Sequence, residues 1–113
     1  MNEPVLLTLI APTELEELLV DWFLENDHRG FTSFDCAGHG VATSDLSSAE
    51  QVSGRKARIG FWFALAREES DRLVARLSRV RFGSSLHYWI SPLLAAGPMR
   101  SDDATPDARS DAE

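Results

Sequence analysis

A chain of 113 residues in which 43% are hydrophobic has apolar material for one compact core but not for two, so a single domain is expected. Its formal net charge of -7 argues against a nucleic-acid partner, because phosphates are bound by clustered Lys and Arg that release counterions. The single cysteine, Cys36, cannot form an intrachain disulfide and suits a reducing compartment.

Residues 5–11 form a nearly continuous apolar run closed by Pro12, which reads as a buried strand. This run follows the acidic Glu3 and is too short for a signal peptide or a membrane span. A cytoplasmic protein without membrane insertion is therefore expected. Thr13 and Glu16 have capping-box spacing and open a helix with Leu15, Leu18, Leu19, Trp22 and Phe23 on one stripe. Turn formers at 26–30 end it, and His28 there suits a helix C-terminus and carries no expected site role.

Residues 31–37 read as a second strand. The stretch 38–54 holds three glycines, four serines and a threonine, and reads as a long functional connection with a helical turn around 48–52. Residues 56–65 alternate, with Ile59, Phe61, Phe63 and Leu65 on one face and Gly60, Trp62 and Ala64 on the other. A second helix is expected over 68–81, with Leu73, Val74, Leu77 and Val80 as its stripe and Arg76, Arg79 and Arg81 near its end. Residues 86–90 give the last strand. The domain then covers 1–98, and 99–113, without a large apolar residue beyond Met99, reads as a disordered acidic tail.

The order βαββαβ predicts an α+β, ferredoxin-like sandwich, a four-stranded antiparallel sheet with two helices on one face. Leu7, Leu9, Phe61, Phe63, Leu86 and Tyr88 are expected to face the helices, and Leu6, Ile10, Trp62 and Trp89 the other side. An open sheet face carrying two tryptophans predicts self-association. Charge supplies a second long-range pattern: residues 1–50 carry ten acids and one Arg, whereas 51–99 carry eight basic groups and three acids. The two halves attract each other in a compact domain without any partner.

Gly30-Phe31-Thr32-Ser33 followed by Gly38-His39-Gly40 resembles the nitrogen-regulatory PII superfamily over residues 4–97. Adding Leu6-Leu7-Thr8-Leu9, residues 18–22, residues 49–55 and Leu86-His87-Tyr88-Trp89, the chain looks like an uncharacterised bacterial branch of PII-like proteins, often encoded beside heavy-metal efflux pumps. The resemblance implies a trimer with ligand sites between subunits, and a loop between strands two and three that reports ligand state to a partner such as a metal-efflux membrane protein. The stretch 82–87 has one glycine and no lysine, so the nest of backbone N–H groups and the cation that hold phosphates are missing and ATP is disfavoured. The related CutA divalent-cation-tolerance family is similar in lacking that loop.

The expected ligand-binding residues are Gly38, Gly40, Gly54, Arg55 and Arg58, because the last two, with Lys56, close the long loop with cations able to receive an anion or an acidic surface. Alternatively these cations only neutralise the acidic first half. Cys36, His39 and His87 are the candidate ligands for a divalent or soft metal ion. Against this, a lone cysteine is commonly a small buried hydrophobe, and an extended strand sends side chains 36 and 39 to opposite faces. No nucleophile elbow, paired cysteine motif or dinucleotide fingerprint is present, so no enzyme is expected. The expected function is a PII-like trimeric signalling or adaptor protein sensing through 38–55, linked to metal efflux or tolerance, and the alternative is a metal-binding protein of CutA type.

Overall fold

The computed structural model describes residues 3–39 and 55–99. Four strands, β1 (Pro4–Pro12), β2 (Thr32–His39), β3 (Arg55–Ala66) and β4 (His87–Pro92), alternate with two helices, α1 (Glu16–Glu25) and α2 (Arg67–Leu77). The sheet order is β2-β3-β1-β4, and every neighbouring pair is antiparallel. This is the expected ferredoxin-like βαββαβ sandwich. The two most apolar strands, β1 and β3, take the central positions, where both faces can lose water.

The core lies between sheet and helices. Leu7 and Leu9 of β1 and Phe61 and Phe63 of β3 are buried against Leu19, Phe23, Leu73 and Leu77. Phe23 stands at its centre, with ring centroids 5.1 Å from Phe31, 5.2 Å from Phe61 and 4.9 Å from Phe63, all edge-on as ring quadrupoles prefer. Both helices are thus held to the sheet by apolar burial.

Several expected boundaries move. Thr13 does not cap α1. It starts a 3-10 turn, Thr13–Leu15, and Leu15 is the cap residue without a side-chain cap bond. The second helix stops at Leu77 rather than Arg81, because the chain folds back on the helix end. A Cβ on Gly83 would stand 2.2 Å from the Leu77 carbonyl oxygen, so only glycine permits this approach. Val80 and Phe82 then pack on the core from a turn instead of a helix, and Arg79 and Arg81 lie beyond the helix they were expected to end. Strand β2 runs two residues further than expected, pairing Gly38 with Lys56 and His39 with Arg55. Leu86 precedes β4, and Tyr88, paired with Leu9 on the helix side, is 54% exposed at the sheet edge. The expected turn at 48–52 and the expected tail beyond Met99 lie outside the described residues.

Candidate functional site: the open sheet face

The helices cover one side of the sheet, and the other side is defined by strand register. Directly paired residues share a face, so three ranks cross it. Thr32, Trp62, Thr8 and Trp89 form one, Phe34, Gly60, Ile10 and His87 the next, and Cys36, Arg58 and Pro12 the third. Of these, Thr8, Ile10, Phe34, Cys36, Arg58, Trp62, His87 and Trp89, together with Leu6, line a broad concavity of about 840 Å³. The set expected to face away from the helices, Leu6, Ile10, Trp62 and Trp89, is found there. Phe34, Cys36, Arg58 and His87 join it, which the sequence alone left unassigned because the pairing of β2 and β4 was unknown.

Trp62 is 44% and Trp89 53% exposed, while Thr8, between them in the same rank, is 2% exposed. The two indoles cover the middle of the sheet and leave their own outer faces in water. Beside them the Phe34 ring lies across Gly60. A Cβ on Gly60 would stand 2.3 Å from the ring's Cζ, and the ring centroid is 4.5 Å from that of Trp62. Glycine at position 60 therefore lets an edge-strand aromatic lie over the sheet and extend the apolar platform.

At one end of this platform the Arg58 side chain crosses Gly38, whose missing Cβ would meet Arg58 Nε at 3.2 Å. Arg58 is half-buried and makes no ion pair among the described residues. Cys36 is its cross-strand partner. Burial pushes the Cys36 thiol up, the Arg58 guanidinium pulls it down, and Asp35 adds to the rise. A raised thiol is protonated at neutral pH and is a poor nucleophile and metal ligand until a metal displaces its proton.

The metal candidates are not gathered within one chain. Cys36 is on β2 and His87 on β4, the two outer strands of the sheet, three strand spacings and one rank apart, or about 16 Å. Strand alternation sends His39 and Cys36 to opposite faces, although His39, at the strand end, reaches the rim of the concavity. Among the described residues no three His, Cys, Asp or Glu side chains come together. Of the expected ligand-binding residues, Gly38 and Arg58 sit together at this rim. Arg55 pairs with His39 through the backbone, and Gly40 and Gly54 lie outside the described residues. No described helix is long and apolar enough to cross a membrane.

Comparison with known proteins places this geometry. The family DUF3240, described as a protein of unknown function, matches residues 1–100. A crystal structure of a DUF3240 family protein from Shewanella baltica superposes with a TM-score of 0.67 at 22% identity, covering 88% of this chain and 100% of the other. A protein from Thermus thermophilus described as PII-like and signalling gives 0.57 at 21% identity, covering 82% and 91%. A functionally unknown protein from Pediococcus pentosaceus gives 0.57 at 10% identity, covering 88% and 100%. These likenesses establish a shared fold. No curated protein matches.

Proposed function

The chain belongs to the DUF3240 family, and we propose that it is a PII-like signalling or adaptor protein rather than an enzyme, working in the cytoplasm as a trimer built through the open sheet face. The observation that carries this reading is the platform of Phe34, Trp62, Trp89, Leu6 and Ile10 on a sheet face that no described element covers. Apolar surface of this kind is stabilised by about 25 cal/mol for each Å² removed from water, and a second and third copy offer the same apolar surface in return. The PII-like description of a structural neighbour supports the same reading.

In such an assembly the rim formed by Gly38, His39 and Arg58, where β2 and β3 leave for residues 40–54, receives a small ligand or a partner surface. Arg58 supplies a cation with no competing carboxylate among the described residues. Gly40, Gly54 and Arg55 belong to the same connection in sequence. We connect this sensing to heavy-metal efflux or tolerance, with an efflux protein as the downstream partner.

Metal binding of the divalent-cation-tolerance type needs ligands from two copies, since Cys36 and His87 lie on opposite edges of one sheet. A calorimetric titration with copper and zinc separates the two readings. The sensor reading expects any heat to persist when Cys36, His39 and His87 are all replaced by Ala. Tight metal binding that the triple replacement abolishes would instead establish the metal-binding protein.

A further inference from the structure

A second concavity lies on the helix-covered side, at the end of the sheet opposite the His39–Arg55 pair, between α2 and the turn that follows α1. Its volume is about 320 Å³, at the small end of ligand clefts. The turn is firmly built. Asn26 Nδ2 donates to the Trp22 carbonyl at 2.8 Å, and the His28 N–H donates to the Phe23 carbonyl at 2.8 Å. Arg76 of α2 ties the turn down from the other side, donating to Asn26 Oδ1, approaching His28 Nε2 at 3.4 Å and lying 5.8 Å from the centre of the Trp22 indole. His28 stacks on the same indole at 5.8 Å. Burial, chiefly, and Arg76 hold the His28 pKa below its ordinary value despite Asp27 and Glu69, so this wall is a neutral imidazole.

The charges of the cleft are arranged in an unusual way. Arg72 and Glu69 both line it, yet neither side chain makes an ion pair or hydrogen bond among the described residues. Among the described residues the Asp27 carboxylate pairs only with Arg29, at 4.0 Å. Glu69 and Arg72 are therefore held around one space without closing on each other. Beneath them half-buried Leu65, with Phe63 only 1% exposed behind it, gives the cleft a small apolar floor.

We propose that this cleft binds a small apolar α-amino acid as its zwitterion. The carboxylate meets the guanidinium of Arg72, whose planar fork suits two parallel hydrogen bonds to it. The ammonium is received by Glu69 and Asp27, and the aliphatic or aromatic side chain lies toward Phe63 and Leu65. Of the three guanidiniums that line the cleft, Arg76 is engaged with Asn26 and His28 and Arg29 with Asp27, which leaves Arg72 for the carboxylate. This site shares no residue with the open sheet face and does not depend on the function proposed for that face.

The test is a titration of the isotope-labelled full chain with L-leucine and L-phenylalanine, followed by amide NMR. 4-Methylpentanoate, which lacks the ammonium, and isoamylamine, which lacks the carboxylate, serve as controls. The expected result is saturable binding of one of the amino acids with a dissociation constant of about 1 mM or lower, with shifts centred on residues 27–29 and 69–76. Arg72→Gln, at an exposed helix position, should weaken it by about tenfold or more, as loss of a charge-assisted bidentate contact does, with unchanged far-UV dichroism. Glu69→Gln should weaken the amino acid and not 4-methylpentanoate. Absence of saturable shifts with both amino acids overturns the proposal. So does equal affinity for 4-methylpentanoate in the unmodified chain, or full binding by Arg72→Gln. A chain carrying Trp62→Thr and Trp89→Thr should bind as the unmodified chain does, which separates this site from the sheet face.

Discussion

Replacing Gly60 by alanine tests the platform at its tightest point. The new methyl would occupy the space of the Phe34 ring, 2.3 Å from Cζ and 2.4 Å from the neighbouring ring carbon, so the ring must swing off the sheet. Roughly 50 Å² of apolar area returned to water costs about 1.3 kcal/mol, and loss of the tilted stack on Trp62 costs about 0.5–1.5 kcal/mol more. Alanine recovers about 0.4–1 kcal/mol by restricting the unfolded chain. The net expectation is destabilisation by about 1–2 kcal/mol, read from urea unfolding at fixed protein concentration. In a Phe34→Ala background no ring is present, and the same change should be neutral or slightly stabilising. A double-mutant cycle should thus show coupling of about 1 kcal/mol or more. Equal effects in the two backgrounds would refute the reasoning, because they would mean that Phe34 does not occupy the space above Gly60.

Two further outcomes follow from single groups. Ser70 is wholly buried and its hydroxyl has no hydrogen-bond partner among the described residues, so Ser70→Ala should raise stability by about 1 kcal/mol in the same assay. A loss of stability would reveal a partner for the hydroxyl. His28 has a folded pKa below its ordinary 6.5, set mainly by burial and then by Arg76. The unfolded chain therefore binds the proton more readily, and this contribution to stability is present above about pH 6.5 and is lost as pH falls through the folded pKa. Thermal unfolding from pH 7.5 to 5.5 should show a steeper loss for the unmodified chain than for His28→Gln, and parallel curves would contradict the assignment.

The strands were legible because burial dictates their composition. The runs at 5–11 and 56–65 are apolar on both faces, and their alternation located the helix-facing set and the two exposed tryptophans. Helix ends were less legible. Thr13 and Glu16 have the right spacing for a capping box, but Pro12 still belongs to β1, and the 3-10 turn at Thr13–Leu15 takes up the place of the cap. Val80 continues the helical period of Leu73 and Leu77, yet reaches the core from a turn enabled by Gly83. Period alone cannot distinguish the two. The open face was half legible, since Leu6, Ile10, Trp62 and Trp89 follow from strand alternation. Phe34 and Arg58 needed the register of β2 against β3, a long-range property that local sequence does not encode. The distance between Cys36 and His87 likewise depends on strand order.

The central claim is that the open sheet face is an assembly surface, and the most direct measurement is the mass of the chain in solution by sedimentation equilibrium over a range of concentrations. The unmodified protein should sediment at three times its 12.5 kDa chain mass, and the variant carrying Trp62→Thr and Trp89→Thr should fall toward the single-chain mass with its far-UV dichroism retained. A monomer at every concentration, or a trimer indifferent to both replacements, would contradict the account.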